Sequence, residues 1–340
     1  ALSMEMVTLL TRQLREWDAD DSIVGMLFDA AGDKAFCAGG DMRQLHRTLL
    51  ECGPVRNEYA ERFFGEEYVL DHMLHTWRKP ILCWGHGIVM GGGVGLLVGA
   101  SHKVVTDGTR LAMPEINIAL YPDVGGTWFL SRAPGRLGLF LGITAAQINA
   151  TDSIRCGLAD FFIPHDRKQQ VVDAIAAGEW SDDTQANHAA LSKLLIAAGR
   201  GAEPPASKLL PHYDTIHALL AGEDLLDIAQ RFRGFRSEDK WLQGAADAFN
   251  KGAPSSIALS WELWRRCRRM SLAEVFRVEY WVSLGCCAHP DLAEGIRAVL
   301  IDKDRNPKWN PATLEEVTPD YVADHCVERG EMLAELRDLT

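Results

Sequence analysis

The chain has 340 residues, 47% of them hydrophobic and 24% charged, with a formal net charge of −12. That balance excludes a disordered chain, and the acidic surplus argues against nonspecific nucleic-acid binding or attraction to anionic membranes. An anionic small ligand is not excluded, because local basic groups or backbone N–H groups can hold one against the global sign, and the length suits one large domain or two ordinary ones.

Met6, Val7, Leu10, Leu14 and Trp17 recur at helical spacing and predict an amphipathic helix over 4–17. IVGMLFDA (23–30) is a compact apolar run expected to form a buried strand, followed by the glycine-rich loop AGDKAFCAGGD (31–41). Residues 58–77 are expected to be helical. KPILCWGHGIVM (79–90) predicts a strand entering a turn, GGGVGLLVGAS (91–101) a helix start, and HKVVTDGTRLAMPE (102–115) two short strands around Asp107–Gly108. Alternating strands and helices with glycine loops between them point to an α/β class. Pro204 and Pro205 in AAGRGAEPPASKLLPH mark a linker. Helices are expected beyond it over 221–233, 239–250, 256–269 and 271–285. The expected organisation is an α/β core over 1–196, a linker over 197–212 and a mainly helical region over 213–340.

The cysteines (Cys37, Cys52, Cys83, Cys156, Cys267, Cys286, Cys287 and Cys326) form no CxxC pair and no zinc spacing, so no metal site is expected. They suit reduced thiols of a cytosol-like compartment. No apolar run reaches membrane-spanning length, and the opening residues show no basic leader followed by an apolar core. The expected location is a bacterial cytoplasm, or the mitochondrial matrix if a leader has been removed.

Three segments carry candidate chemistry. In KAFCAGGD (34–41), Ala38, Gly39 and Gly40 let the backbone approach a ligand and aim an N–H group outward; a tight strand-to-helix connection is the plainer reading. In MGGGVGLLVG (90–99), Gly91, Gly95 and Gly99 make one smooth helix face, while the first glycines occupy a helix start that attracts negative charge. The dinucleotide pattern GxGxxG fails, since its last glycine is replaced by Met90 after Gly85-His86-Gly87 and by Val98 after Gly93-Val94-Gly95. In LAMPEINIALYPDVGG (111–126), Glu115 follows Pro114 and Asp123 follows Pro122 in apolar surroundings. Burial there raises a carboxyl pKa and poises it for proton transfer or attack. Taken singly, either acid reads as a cap or a solvated loop residue. Together, two N–H donors from separate loops and two acids from a third segment compose a site for acyl or proton transfer with an oxyanion hole.

These stretches, together with FFGEEY (63–68) and EGIRAVLIDKDRNPKW (294–309), resemble the crotonase (enoyl-CoA hydratase/isomerase) superfamily, and within it the 3-hydroxyisobutyryl-CoA hydrolase branch. The resemblance implies an α/β, crotonase-like spiral of β-β-α turns with two roughly perpendicular sheets and a mainly helical C-terminal region. It implies an acyl-CoA substrate, with the N–H groups of Gly40 and Gly92 on the thioester oxygen, Glu115 and Asp123 at the acyl carbon, and Glu67 contacting substrate. The adenine would lie by the 34–41 backbone at Ala38, with Lys303 assisting. Coenzyme A is then part of the substrate, and no separate cofactor is implied.

Hydratases of the superfamily carry a glutamate where this chain has Gly95, and a glycine where it has Asp123. The implied reaction is therefore hydrolysis of 3-hydroxyisobutyryl-CoA to 3-hydroxyisobutyrate and coenzyme A, in valine breakdown. A hydratase or isomerase, and a catalytically silent acyl-CoA binder, are the alternatives. Relatives are often trimers or hexamers, so a homo-oligomer is compatible. Plainer readings are expected for His86 (a neutral core histidine), Cys37 (packing) and Asp41 (tying its own loop). The run from Trp264 to Arg269 suits either coenzyme A phosphates or a solvated face.

Overall fold

A computed structural model describes residues 1–53 and 56–340. The chain divides into two compact units, each built from three separate stretches: Ala1–Gly39, Leu70–Leu111 and Ile148–Pro211 in the first, and Gly40–Val69, Ala112–Gln147 and His212–Thr340 in the second.

The first unit holds the strands. Strands β1 (Met26–Phe28), β3 (Ile81–Gly85), β5 (His102–Val105) and β7 (Phe161–Phe162) form a parallel sheet in the order β1-β3-β5-β7. Strands β2 (Ala35–Cys37), β4 (Ile88–Met90) and β6 (Arg110–Ala112) form the second sheet, in the order β2-β4-β6. Every residue of β3 is buried, the continuous apolar run of a strand covered on both faces of a parallel sheet. Leu82, Trp84 and Val104 pack with Val171, Leu191 and Leu195 of the helices Lys168–Ala176 and Thr184–Gly199. The first helix, Met4–Asp18, is capped by Lys79, whose Nζ donates to the carbonyls of Trp17, Asp18 and Asp20.

The strand expected over 79–90 is two strands in two sheets. Gly87 adopts φ 59° between them, and a Cβ there would lie 2.3 Å from the Lys34 carbonyl oxygen. Only glycine permits this crossing, and it redirects the chain from β3 to β4. The strands around Asp107–Gly108 occur as expected, but β5 and β6 belong to different sheets. The strand expected over 23–30 contracts to three residues.

The second unit is helical. It contains the helix Met42–Cys52, the part of the helix Glu58–Thr76 up to Val69, and the short helices Gly126–Ser131 and Leu137–Thr144. Four longer helices follow at Leu225–Gly234, Lys240–Lys251, Pro254–Arg266 and Leu272–Ala288. Asp224, Asp239 and Ser271 cap three of them, Ser271 reciprocally with Glu274. The helix expected over 256–269 starts instead with Pro254 at its first turn, and residues Cys267–Arg269 tighten into a 3₁₀ turn. Among the described residues, no helix is long and apolar enough to cross a membrane.

Candidate active site

The helical unit buries a group of acids. Glu115 opens a 3₁₀ turn directly after Pro114 and is 5% exposed; Asp123 follows Pro122 and is 4% exposed. Glu67, on the helix Glu58–Thr76, and Glu279, on the helix Leu272–Ala288, are buried as well. The segment that carries the two expected catalytic acids is tightly wound: Ala119 between them, and Val124 and Gly125 directly after Asp123, all have positive φ. For a β-branched residue such as Val124 this is a costly conformation, held in place by the surrounding structure.

That structure is a hydrogen-bond network from distant parts of the chain. The Tyr68 hydroxyl donates to Asp123 Oδ2 at 2.7 Å. The Ser283 hydroxyl lies 2.7 Å from Tyr68 Oη and 2.9 Å from Tyr121 Oη, and Tyr121 donates to the Glu279 carbonyl at 2.6 Å. The Glu279 carboxylate accepts from the Gly125 N–H at 2.7 Å, from the Thr127 N–H at 3.1 Å and from the Thr127 hydroxyl at 2.5 Å. It thereby clamps the turn that presents Asp123. Glu115 differs, since its Oε2 is buried with no hydrogen-bond partner.

Burial drives the protonation of this group. Desolvation raises Glu115 well above the usual carboxylate range, and the charge of Asp123 raises it further. Glu67 is raised well above its ordinary value for the same two reasons. Asp123 is pushed up to about 6 by burial, against the opposing pull of the Tyr68 hydrogen bond. Burial likewise takes Glu279 to about 8, with the Thr127 hydroxyl opposing. A carboxyl raised by burial, with an unpartnered oxygen, is suited to act as base or nucleophile.

Sequence reasoning named Glu67, Glu115 and Asp123, and the structure buries all three in one unit, with the charge of Asp123 acting on both glutamates. Gly40 lies in the same unit, close against Phe63 and Met42. Gly92 and Ala38 lie in the first unit: Gly92 starts the helix Gly92–Gly99 after Gly91 at φ 54°, and Ala38 is exposed in its loop. The neighbouring Gly39, at φ 100°, runs beside that helix start, and a Cβ on it would be 3.8 Å from Gly92 N. Lys303 is exposed at φ 60° and, among the described residues, makes no hydrogen bond or ion pair to the acids.

The plainer expectations for His86 and Asp41 fit what is seen: His86 Nε2 bonds the Gly32 carbonyl at 2.7 Å, and Asp41 caps the helix Met42–Cys52. The arginines of the basic run lie over indoles, Arg268 over Trp264 and Arg265 over Trp261. Sequence reasoning missed Tyr68, Tyr121, Ser283 and Glu279. Their partners lie 55 to 215 positions away. One local signal existed, a glutamate at 279 inside the mostly apolar stretch VFRVEYWV, whose other charged residue is Arg277.

The chain matches known proteins along nearly its whole length. The family described as Enoyl-CoA hydratase/isomerase matches residues 1–326. The mitochondrial 3-hydroxyisobutyryl-CoA hydrolase of Danio rerio is 36% identical over 330 residues, covering 96% of this chain and 83% of that protein. The human protein of the same name is 33% identical, covering 97% and 83%. Among solved structures, a carnitinyl-CoA dehydratase from Mycobacterium thermoresistibile superposes with a TM-score of 0.87 at 35% identity, covering 98% of this chain and 92% of that one. An enoyl-CoA hydratase from Rhodobacter sphaeroides 2.4.1 does so with 0.83 at 32% identity, covering 96% and 90%. The parallel sheets, the helical C-terminal region and these matches agree: the chain belongs to the enoyl-CoA hydratase/isomerase family and has the crotonase-like fold.

Proposed function

We propose that this protein is an acyl-CoA thioester hydrolase, acting on 3-hydroxyisobutyryl-CoA to release 3-hydroxyisobutyrate and coenzyme A, as the names of its curated relatives suggest. The observation that carries the reading is the buried pair Glu115 and Asp123, combined with Gly95 in the helix Gly92–Gly99 where hydratases of the superfamily carry their other glutamate. Glu115 either attacks the thioester carbonyl to give a mixed anhydride or takes a proton from the attacking water. Asp123 and Glu67 face the acyl group, Asp123 holding its 3-hydroxyl or positioning protons. The family resemblance assigns the backbone N–H groups of Gly40 and Gly92 to the thioester oxygen, and the 34–41 loop and Lys303 to the nucleotide end. The reaction draws on no metal or separate cofactor.

A role in valine breakdown follows from the substrate. The eight cysteines, which form no CxxC pair, support a reducing compartment, either bacterial cytoplasm or mitochondrial matrix, and a homo-oligomer is compatible with the superfamily.

The test is a panel of short-chain coenzyme A esters scored by appearance of free thiol, with enoyl and 3-hydroxyacyl esters side by side. Wild type releases thiol from 3-hydroxyisobutyryl-CoA, whereas Glu115→Ala and Asp123→Ala lose release by at least ~10²-fold and still bind the ester. Wild-type-like turnover in Glu115→Ala overturns the assignment. Hydration of the enoyl ester without thiol release supports the hydratase reading, which the names of the two solved structures favour.

A further inference from the structure

Four hydrogen-bond contacts run in series from Asp123: to Tyr68, from Tyr68 to Ser283, from Ser283 to Tyr121, and from Tyr121 to the Glu279 carbonyl. Three hydroxyls supply three protons. The last contact ends on a carbonyl, which only accepts, so the Tyr121 proton is committed there. When Asp123 is ionised, the Tyr68 proton is committed to it. The single Ser283 proton must then serve two contacts, and one of the four places lone pair against lone pair. When Asp123 carries a proton on Oδ2, every contact is filled in one direction: Asp123 to Tyr68, Tyr68 to Ser283, Ser283 to Tyr121, Tyr121 to the carbonyl. Tyr68, Tyr121 and Ser283 are all buried, so water is not at hand to fill the gap.

We propose that Tyr68, Ser283 and Tyr121 are positioning residues that hold a proton on Asp123, so that the negative charge of the acid pair falls on Glu115. The proposal rests on the hydrolase reading for its consequence, since Glu115 must be charged to attack or to activate water. Taken alone, the Tyr68 hydrogen bond pulls Asp123 toward its charged form. It is not isolated, however, and counting the whole series reverses the preference. The titratable groups whose charges couple to Asp123 are Glu67 and Tyr68 from the helix Glu58–Thr76, Glu115 and Tyr121 from its own segment, and Glu279 and Cys286 from the helix Leu272–Ala288. All six are acids, so any of them that ionises opposes a negative charge on Asp123, Glu115 above all. A neutral Asp123 also removes the like charge that opposes ionisation of Glu115.

Ser283→Ala deletes two contacts and leaves an ionised Asp123 with nothing mismatched. Tyr121→Phe deletes the committed terminus and has the same effect. The infrared carbonyl band of the protonated Asp123 carboxyl, identified by its loss in Asp123→Asn, reports the proton directly in ligand-free protein across pH 4 to 9. Wild type shows the band, and both Ser283→Ala and Tyr121→Phe move its titration midpoint to lower pH by about half a unit or more. A purely structural role leaves the midpoint in place and only lowers thermal stability. The proposal is overturned if wild type lacks the band at the acid end, or if the midpoint stays or rises in whichever of the two variants folds. The measurement uses no substrate, so the hydrolase reading can fail in the thiol assay while the proton placement stands, and the reverse holds equally.

Discussion

Glu115 keeps one carboxylate oxygen without a partner in a closed interior, a poor arrangement for stability and a useful one for chemistry. Ionising a carboxyl in that interior costs stability, so Glu115→Gln is expected to lose less stability than wild type as pH rises, while abolishing thiol release. Chemical denaturation of the two proteins across rising pH checks this, and parallel stability curves contradict it. Glu115 and Asp123 were legible in the sequence because each stands directly behind a proline in an oily stretch, and Glu67 because of the FFGEEY resemblance. The residues that hold Asp123 carry no such mark. A serine and two tyrosines in apolar helices and turns read as ordinary core, and their roles arise only from contacts as far as 215 positions apart.

At the scale of elements, the segment from Glu115 to Asp123 is shaped by what packs behind it. The helix Pro290–Ile296 presents Gly295 to the backbone of Ile118, where a Cβ would lie 2.5 Å from the carbonyl carbon. The helix Lys240–Lys251 ends at Gly252 against the Ile116 side chain. Gly295→Ala must therefore displace the turn that carries Glu115. It is expected to cost about 1–3 kcal/mol and to lower kcat in the protein that still folds, both read from denaturation and steady-state thiol release. Retention of both values shows that the turn is free to move. The helices of this unit were readable from their periodicity and caps. The split of the 79–90 stretch was not, because an unbroken apolar run carries no sign of the left-handed Gly87 that divides it.

At the scale of the whole molecule, the buried acids link folding to pH with a definite sign. Glu279 has an ordinary value of 4.5 and is raised to about 8 in the folded protein; Asp123 moves from 3.8 to about 6. The folded state therefore binds more protons than the unfolded one between these limits. The stability these groups contribute is fully present below about pH 4 and is lost as pH rises through 6 for Asp123 and through 8 for Glu279. Replacing Glu279 by Gln removes its share, so the Tm of Glu279→Gln is expected to fall less than that of wild type between pH 5 and 8. Parallel Tm curves across that interval contradict the raised value.

The helix Leu272–Ala288 has a further consequence for how the protein comes to be made. Glu279 and Ser283 leave the ribosome more than 150 residues after the turn they secure, roughly 8 to 30 seconds later at typical elongation rates. Through that interval a nascent chain already bears every recognisable motif of the acid segment while its carboxylates stay hydrated. The interior can shed that water only once the late helix arrives, so the chemistry of the enzyme matures near the end of synthesis.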